Sequence, residues 1–159
     1  MLKTVLITGA ATGIGKACAI AFADKGYRVA ICYNNSADEA VLLKTELISK
    51  GCDAECFRAD LTSFDSAHNL VCAVAERFGS IDVLVNNAGI SQQKLFTDLT
   101  VDDWNTMIAT NLTTVFNVTH AVVPYMVNKK WGRIINISSM WGVTGASCEV
   151  HYSASKAGV

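Results

Sequence analysis

Residues 2–33 read LKTVLITGAATGIGKACAIAFADKGYRVAICY. Leu2–Thr8 is a short run rich in β-branched and aliphatic residues, as a buried strand requires. Gly9, Gly13 and Gly15 follow, and a helical pattern runs from Gly13 to Lys25 until Gly26 supplies a C-terminal stop. Tyr27–Tyr33 then repeats the strand composition. Strand, glycine turn, helix and second strand in this order make a βαβ unit, whose two strands run parallel.

The same alternation continues outward. Ser36 with Glu39 three residues later reads as a capping box, opening a second helix with Leu43 and Leu47 on its buried side and Gly51 at its end. Asp53–Arg58 is a third strand. Ser63 caps a third helix in which Phe64, Ala67, Val71, Val74 and Phe78 recur at helical spacing, and Gly79 ends it. IDVLVNNAG (81–89) is a fourth strand and tight loop. Thr100 starts a long helix through about Lys130, GRIINISS (132–139) is a fifth strand, and a glycine-dotted loop leads to a helix start at HYSASKAGV (151–159). Near-continuous apolar strands separated by amphipathic helices predict an α/β fold, a doubly wound parallel sheet covered on both faces.

Composition narrows the classes of function. The 159 residues fit one domain, and 51% hydrophobic against 17% charged residues implies several fully buried elements. Thirteen basic and fourteen acidic residues leave a net charge of −1, which gives no reason to expect nucleic acid or an anionic membrane as partner. No apolar run approaches membrane-spanning length, and the opening run is too short for a secretory signal. Cysteines at 18, 32, 52, 56, 72 and 148 form no CxxC pair, so reduced, mostly buried thiols in a cytoplasmic protein are expected. His68, His120 and His151 are scattered, and no metal site is expected.

In such sheets ligands bind at the carboxyl ends of the strands. TGAATGIG (8–15) follows the first strand. There Gly9, Thr12, Gly13, Ile14 and Gly15 can let a pyrophosphate approach the backbone and a helix N-terminus; an ordinary tight turn is the alternative. Asn34, Asn35 and Ser36 follow the second strand. An acid here would bind the adenosine ribose hydroxyls of NAD; its absence favours NADP(H), with NAD(H) possible, although no Arg or Lys is evident at the tip. Asp60 and Leu61 follow the third strand. Asp60 either accepts from an adenine amino group or serves as a helix-leading carboxylate. Asn86 and Asn87 can tie neighbouring strands, while Ala88 and Gly89 allow close approach of a cofactor. Asn111 is an unfavourable residue inside a helix. Tyr152 and Lys156 lie four apart, on one helical face.

Taken in order, TGAATGIG, DL, NNAG, Asn111, ISS and YSASK resemble the short-chain dehydrogenase/reductase family, and the resemblance covers the whole chain. It implies a Rossmann-like NAD(P)-binding domain over residues 1–159, with five strands present and the family's last two missing, so that the domain is incomplete at its C-terminus. It implies reduction of a carbonyl to an alcohol with hydride from the nicotinamide. Tyr152 would be the general acid, since a phenol needs nearby positive charge to exchange its proton readily near neutral pH. Lys156 would supply that charge and bond the nicotinamide ribose hydroxyls. Ser139, thirteen residues before Tyr152, would hold the substrate oxygen, with Ser138 as runner-up. Asn111 would anchor a water linking Lys156 to solvent. A homo-oligomer and a small-molecule or carrier-bound substrate go with the resemblance.

Within the family the chain is most similar to bacterial 3-oxoacyl-acyl-carrier-protein reductases of fatty acid biosynthesis. Its loop SSMWGVTGASCEVHYSASK (138–156) also resembles that of the bacterial reductase of the 5-aminopentanone modification on elongation factor P. Trp141, Cys148, Glu149 and His151 would then shape specificity, with Glu149 either pairing with a substrate amine or serving as a helix-start carboxylate. A non-enzyme reading stands beside these: a truncated nucleotide-binding fragment with little turnover, its fifth strand left as an exposed edge.

Overall fold

The structure, a computed structural model, describes residues 2–159. Five parallel strands, β1 (Thr4–Thr8), β2 (Arg28–Tyr33), β3 (Ala54–Arg58), β4 (Val83–Asn86) and β5 (Arg133–Asn136), form one sheet in the order β3-β2-β1-β4-β5. The winding reverses between β1 and β4, which opens a crevice at their carboxyl ends. This is the Rossmann-like doubly wound sheet expected from the sequence.

Strand residues alternate between the two faces. Val5, Ile7, Val29 and Ile31 pack with Ala19 of α1 (Gly13–Asp24) and with Leu43 and Leu47 of α2 (Ala37–Ser49). Leu6, Ala30 and Leu84 pack on the other face with Leu70, Val71 and Val74 of α3 (Phe64–Phe78), and with Val118 and Val122 of α5 (Thr114–Lys129). β1 is buried along its whole length, whereas all four residues of β5, at one edge of the sheet, are exposed.

Helix boundaries follow the capping signals with one exception. The Ser63 hydroxyl accepts from Ser66 N at 3.3 Å, and Gly79 closes α3 at φ 78°. Thr100 and Asp103 form a reciprocal capping box at the start of α4 (Val101–Ile108). At Ser36 the expected box is absent, because the side chain makes no cap bond at ψ 63° while Ala37 N–H donates to the Asn35 carbonyl in a local turn. The helix begins there all the same, with Asp38 and Glu39 in its first turn.

The long helix expected from Thr100 to Lys130 is interrupted. Between α4 and α5 lies a π-turn, Ala109–Thr113, in which Thr114 N–H reaches back to the Ala109 carbonyl. The glycine-dotted loop contains a single helical turn, α6 (Trp141–Thr144), before α7 (Val150–Gly158). All six cysteines are free, but only Cys32, inside β2, is buried and the other five are half-buried. Burial pushes the Cys32 thiol up to about 12. Among the described residues no helix is long and apolar enough to cross a membrane, and no group of three His, Cys, Asp or Glu residues is placed to hold a metal ion.

Candidate active site

The β1 and β4 loops are strapped together. The Thr8 hydroxyl accepts from Asn87 N–H at 2.9 Å and from Ala88 N–H at 3.0 Å. The Asn87 amide donates to the carbonyls of Thr8 and Gly9, each at 3.0 Å. This leaves no room for a side chain at Gly9 or Gly15. A Cβ on Gly15 would overlap the Gly9 carbonyl and stand 2.6 Å from Asn87 Nδ2, and Gly9 itself sits at φ 61°. The first turn of α1 carries no acid, and its N-cap Thr12 makes no side-chain cap bond, so the helix end is open and positive. Asn86 extends the tie to the next strand, donating to Asn136 Oδ1 at 2.9 Å and Thr119 Oγ1 at 3.0 Å. Both asparagines therefore join neighbouring strands as the sequence suggested.

Further along the crevice, the π-turn carries Asn111 into the interior, where it is fully buried. Its Oδ1 accepts from Ile90 N–H at 2.8 Å, and its Nδ2 donates to the Ile90 carbonyl at 2.9 Å and lies 3.1 Å from Ser155 Oγ. Ser155 Oγ in turn donates to the Tyr152 carbonyl at 2.7 Å. Asn111 thus fixes the β4 loop to α7 through its own side chain. Lys156 is also buried, its ammonium donating to the Ile137 carbonyl at 2.9 Å and standing 5.9 Å from the Tyr152 ring centroid. Burial pushes this ammonium below the ordinary lysine value.

Ile14, Asn87, Gly89, Ile90, Ser91, Ile137, Ser138, Tyr152 and Lys156 line one cavity of about 210 Å³. Nucleotide-loop and α7 residues predicted separately are therefore brought to a single site. Gly89 keeps its floor open: a Cβ there would stand 3.1 Å from Asn111 Oδ1 and 3.5 Å from Lys156 Nζ. Of the two serines, Ser138 borders the cavity and donates to the Lys156 carbonyl at 2.8 Å. Ser139 Oγ instead accepts from Trp141 N–H at 3.2 Å.

A second set of bonds pins the segment after β4 against the start of α7. Lys94 N–H donates to the Cys148 carbonyl at 2.8 Å, and Gln93 Nε2 donates to Glu149 Oε1 at 3.2 Å. Gln92 Oε1 lies 2.9 Å from Nε2 of the fully buried His151. Glu149 is therefore engaged with Gln93 and does not border the cavity. Gln92, Gln93 and Ile90 escape sequence reading, because nothing local marks a partner more than fifty residues away, or, for Ile90, on another element.

The remaining predicted residues lie toward β2 and β3. Asp60 Oδ1 accepts from both the N–H and the hydroxyl of Thr62, at 3.0 and 2.7 Å, and these bonds hold the carboxyl below its usual range. Leu61 is buried, and its carbonyl accepts from Asn117 Nδ2 at 3.0 Å. Asn34 is exposed at the tip of β2. The sequence displays no cation at that tip, but the fold brings one: Arg58 Nε donates to the Asn34 carbonyl at 3.2 Å.

The open α1 terminus, the side-chain-free turn at Gly9 and Gly15, and the cavity beside Gly89 fit a dinucleotide lying along the strand ends. Comparison with known proteins agrees. The short chain dehydrogenase family model matches residues 3–159, and the chain belongs to that family. It is 39% identical over its full length to a 3-oxoacyl-acyl-carrier-protein reductase of Staphylococcus epidermidis. Over 99% of its length it is 41% identical to a 3-oxoacyl-acyl-carrier-protein reductase of Synechocystis. Over the same share it is 40% identical to an acetoacetyl-CoA reductase of Shinella zoogloeoides. The chain spans 65%, 64% and 64% of the lengths of these three relatives.

Proposed function

We propose that this chain belongs to an NADP(H)-dependent reductase that converts a 3-oxoacyl thioester, carried on a protein or on coenzyme A, to its alcohol. The convergence of Tyr152, Lys156, Asn87 and Gly89 on one cavity carries the reading. The names of the relatives, all reductases of 3-oxoacyl groups, support the substrate class.

In this reading Gly9, Thr12, Gly13, Ile14 and Gly15 hold the pyrophosphate, Asn34, Asp60 and Leu61 border the adenosine, and Asn87, Ala88 and Gly89 flank the nicotinamide half. When bound, the reduced nicotinamide supplies hydride. Tyr152 gives its phenolic proton to the carbonyl oxygen as negative charge develops there. Lys156 offers positive charge beside that phenol and donors to ribose hydroxyls. Ser139 turns its hydroxyl from Trp141 N–H toward the developing alkoxide, and Asn111 holds the Ile90 backbone and α7 in register around the reacting atoms. Six free thiols support a reducing, cytoplasmic setting. Exposed Phe116, Val123 and Val127 on α5 offer apolar surface for self-association.

The test is NADPH oxidation with an acetoacetyl thioester as acceptor. Turnover that disappears in Tyr152→Phe is expected. A chain that binds NADPH yet reduces no 3-oxoacyl thioester rejects the substrate class, and one that binds no nicotinamide nucleotide rejects the whole reading.

A further inference from the structure

We propose that Arg58 binds a 2′-phosphate on the adenosine ribose and makes this site selective for NADP(H) over NAD(H), an inference that rests on the nucleotide site proposed above. The chain has four arginines. Arg28 and Arg133 open β2 and β5, at the amino edge of the sheet, and Arg77 pairs with Asp53 just before β3. Arg58 alone ends a strand, at the carboxyl edge where ligands bind.

The parallel register sets Arg58 beside Tyr33, the last residue of β2, and its Nε donates to the carbonyl of Asn34, the next residue along. That bond anchors the guanidinium at the strand tip. Both terminal nitrogens remain available, for Arg58 enters no ion pair among the described residues. A planar fork held in this way suits a phosphate monoester, which accepts two parallel N–H bonds.

The surroundings sharpen the argument. Asn34, Asn35 and Ser36 are neutral, so no carboxylate competes for the ribose hydroxyls at the tip itself. The Ser36 hydroxyl caps nothing and is free to donate. The N-terminus of α2 is not enough alone, because Asp38 and Glu39 in its first turn oppose an anion. A fixed positive charge is needed to offset them, and β3 delivers it.

The experiment is a binding titration of the 159-residue chain with NADPH, NADH, adenosine 2′,5′-bisphosphate and 5′-AMP, followed by calorimetry. Arg58→Gln should weaken NADPH and the bisphosphate at least about tenfold, while NADH and 5′-AMP stay within about twofold. Arg58→Lys, which keeps the charge but loses the fork, should fall between. Equal losses for all four ligands, or an unchanged preference for the 2′-phosphorylated pair, would overturn the assignment. If the unsubstituted chain binds none of the four, the nucleotide site itself is wrong and this inference goes with it. Because Arg58 is exposed, unchanged thermal unfolding of the variants is expected and separates binding loss from misfolding.

Discussion

Both ends of the Asn111 amide close on the backbone of Ile90, Oδ1 accepting from its N–H at 2.8 Å and Nδ2 donating to its carbonyl at 2.9 Å. One side chain thereby satisfies a peptide N–H and a peptide C=O of a loop that has no strand or helix partner of its own there. The π-turn is what aims it: the extra residue in the turn rotates Asn111 off the ordinary helical face and toward the β4 loop.

Asn111→Ala should therefore destabilise the chain by about 2–4 kcal/mol, from two unsatisfied backbone groups at roughly 1–3 kcal/mol each with some relief by water. Asn111→Asp keeps the acceptor for Ile90 N–H but loses the donor, and should cost less if its carboxyl takes up a proton. Chemical denaturation of both variants measures this. A change below about 0.5 kcal/mol in Asn111→Ala would show that the loop is held elsewhere.

Gly15 and Gly13 make a contrasting pair within one loop. A Cβ on Gly15 overlaps the Gly9 carbonyl and crowds the Asn87 side-chain amide, and the hydrogen bond between those two groups in the β1–β4 tie holds both in place. Gly15→Ala should cost about 2–3 kcal/mol and abolish nucleotide binding. Gly13 has open space around it but sits at φ 55°, so Gly13→Ala should cost only about 1 kcal/mol. Thermal unfolding and NADPH titration of the two variants separate crowding from backbone strain.

Asp82 predicts an acid limb of stability. The residue is fully buried at the amino edge of the sheet. Burial works to raise its carboxyl, but the Lys129 ammonium, the Thr4 N–H at 2.8 Å and the Ser80 hydroxyl at 3.3 Å outweigh it, and the carboxyl lies below 3.8. A folded value below the unfolded one means stability that is present above about pH 4 and lost as pH falls through the folded value. Asp82→Asn should lower stability by about 1–3 kcal/mol at pH 7 and flatten that acid limb. Denaturation midpoints from pH 7 down to pH 2 test both, and an unaltered acid limb in the variant would assign it to other carboxylates.

Strand and helix order was legible because burial on both sheet faces writes unbroken apolar runs and helical spacing directly into the chain. Glycines were legible because few other residues tolerate the turn between β1 and α1. What escaped was long-range pairing. Asn111 stood out as a poor helix residue, but its partner Ile90 is 21 positions away and reaches it only through a π-turn that leaves no compositional mark. Arg58 stood out even less, since its place beside Asn34 depends on the β2–β3 register. The Ser36–Glu39 pattern promised a capping box that a local turn pre-empted, while Thr100 with Asp103 built one. Local patterns state what a segment can do; register and packing choose among those options.

Lys156 offers a test in which activity and stability move in opposite directions. Its ammonium is buried, with the Ile137 carbonyl as its single hydrogen-bond partner among the described residues, and desolvation pushes it below the ordinary 10.5. The neutral form is therefore reached at lower pH than in the unfolded chain. If the charge eases proton transfer from Tyr152, turnover should fall as pH rises through the folded value, before 10.5. Over the same window the unfolded chain binds more protons than the folded one, so this group's contribution to stability grows more favourable with pH. Lys156→Met removes the charge at all pH values. It forfeits one hydrogen bond, about 1 kcal/mol, but relieves the burial of an ammonium, so stability at pH 7 should change by less than about 1 kcal/mol. Turnover should nonetheless drop about 10²- to 10⁴-fold and lose its alkaline limb, the size expected when assisted proton transfer is removed. A parallel Tyr152→Phe should drop turnover as far while leaving NADPH affinity within about twofold, since the ring stays and only the proton-donating hydroxyl is lost. A Lys156→Met variant that keeps near-normal turnover would show that the ammonium only props up the loop at Ile137.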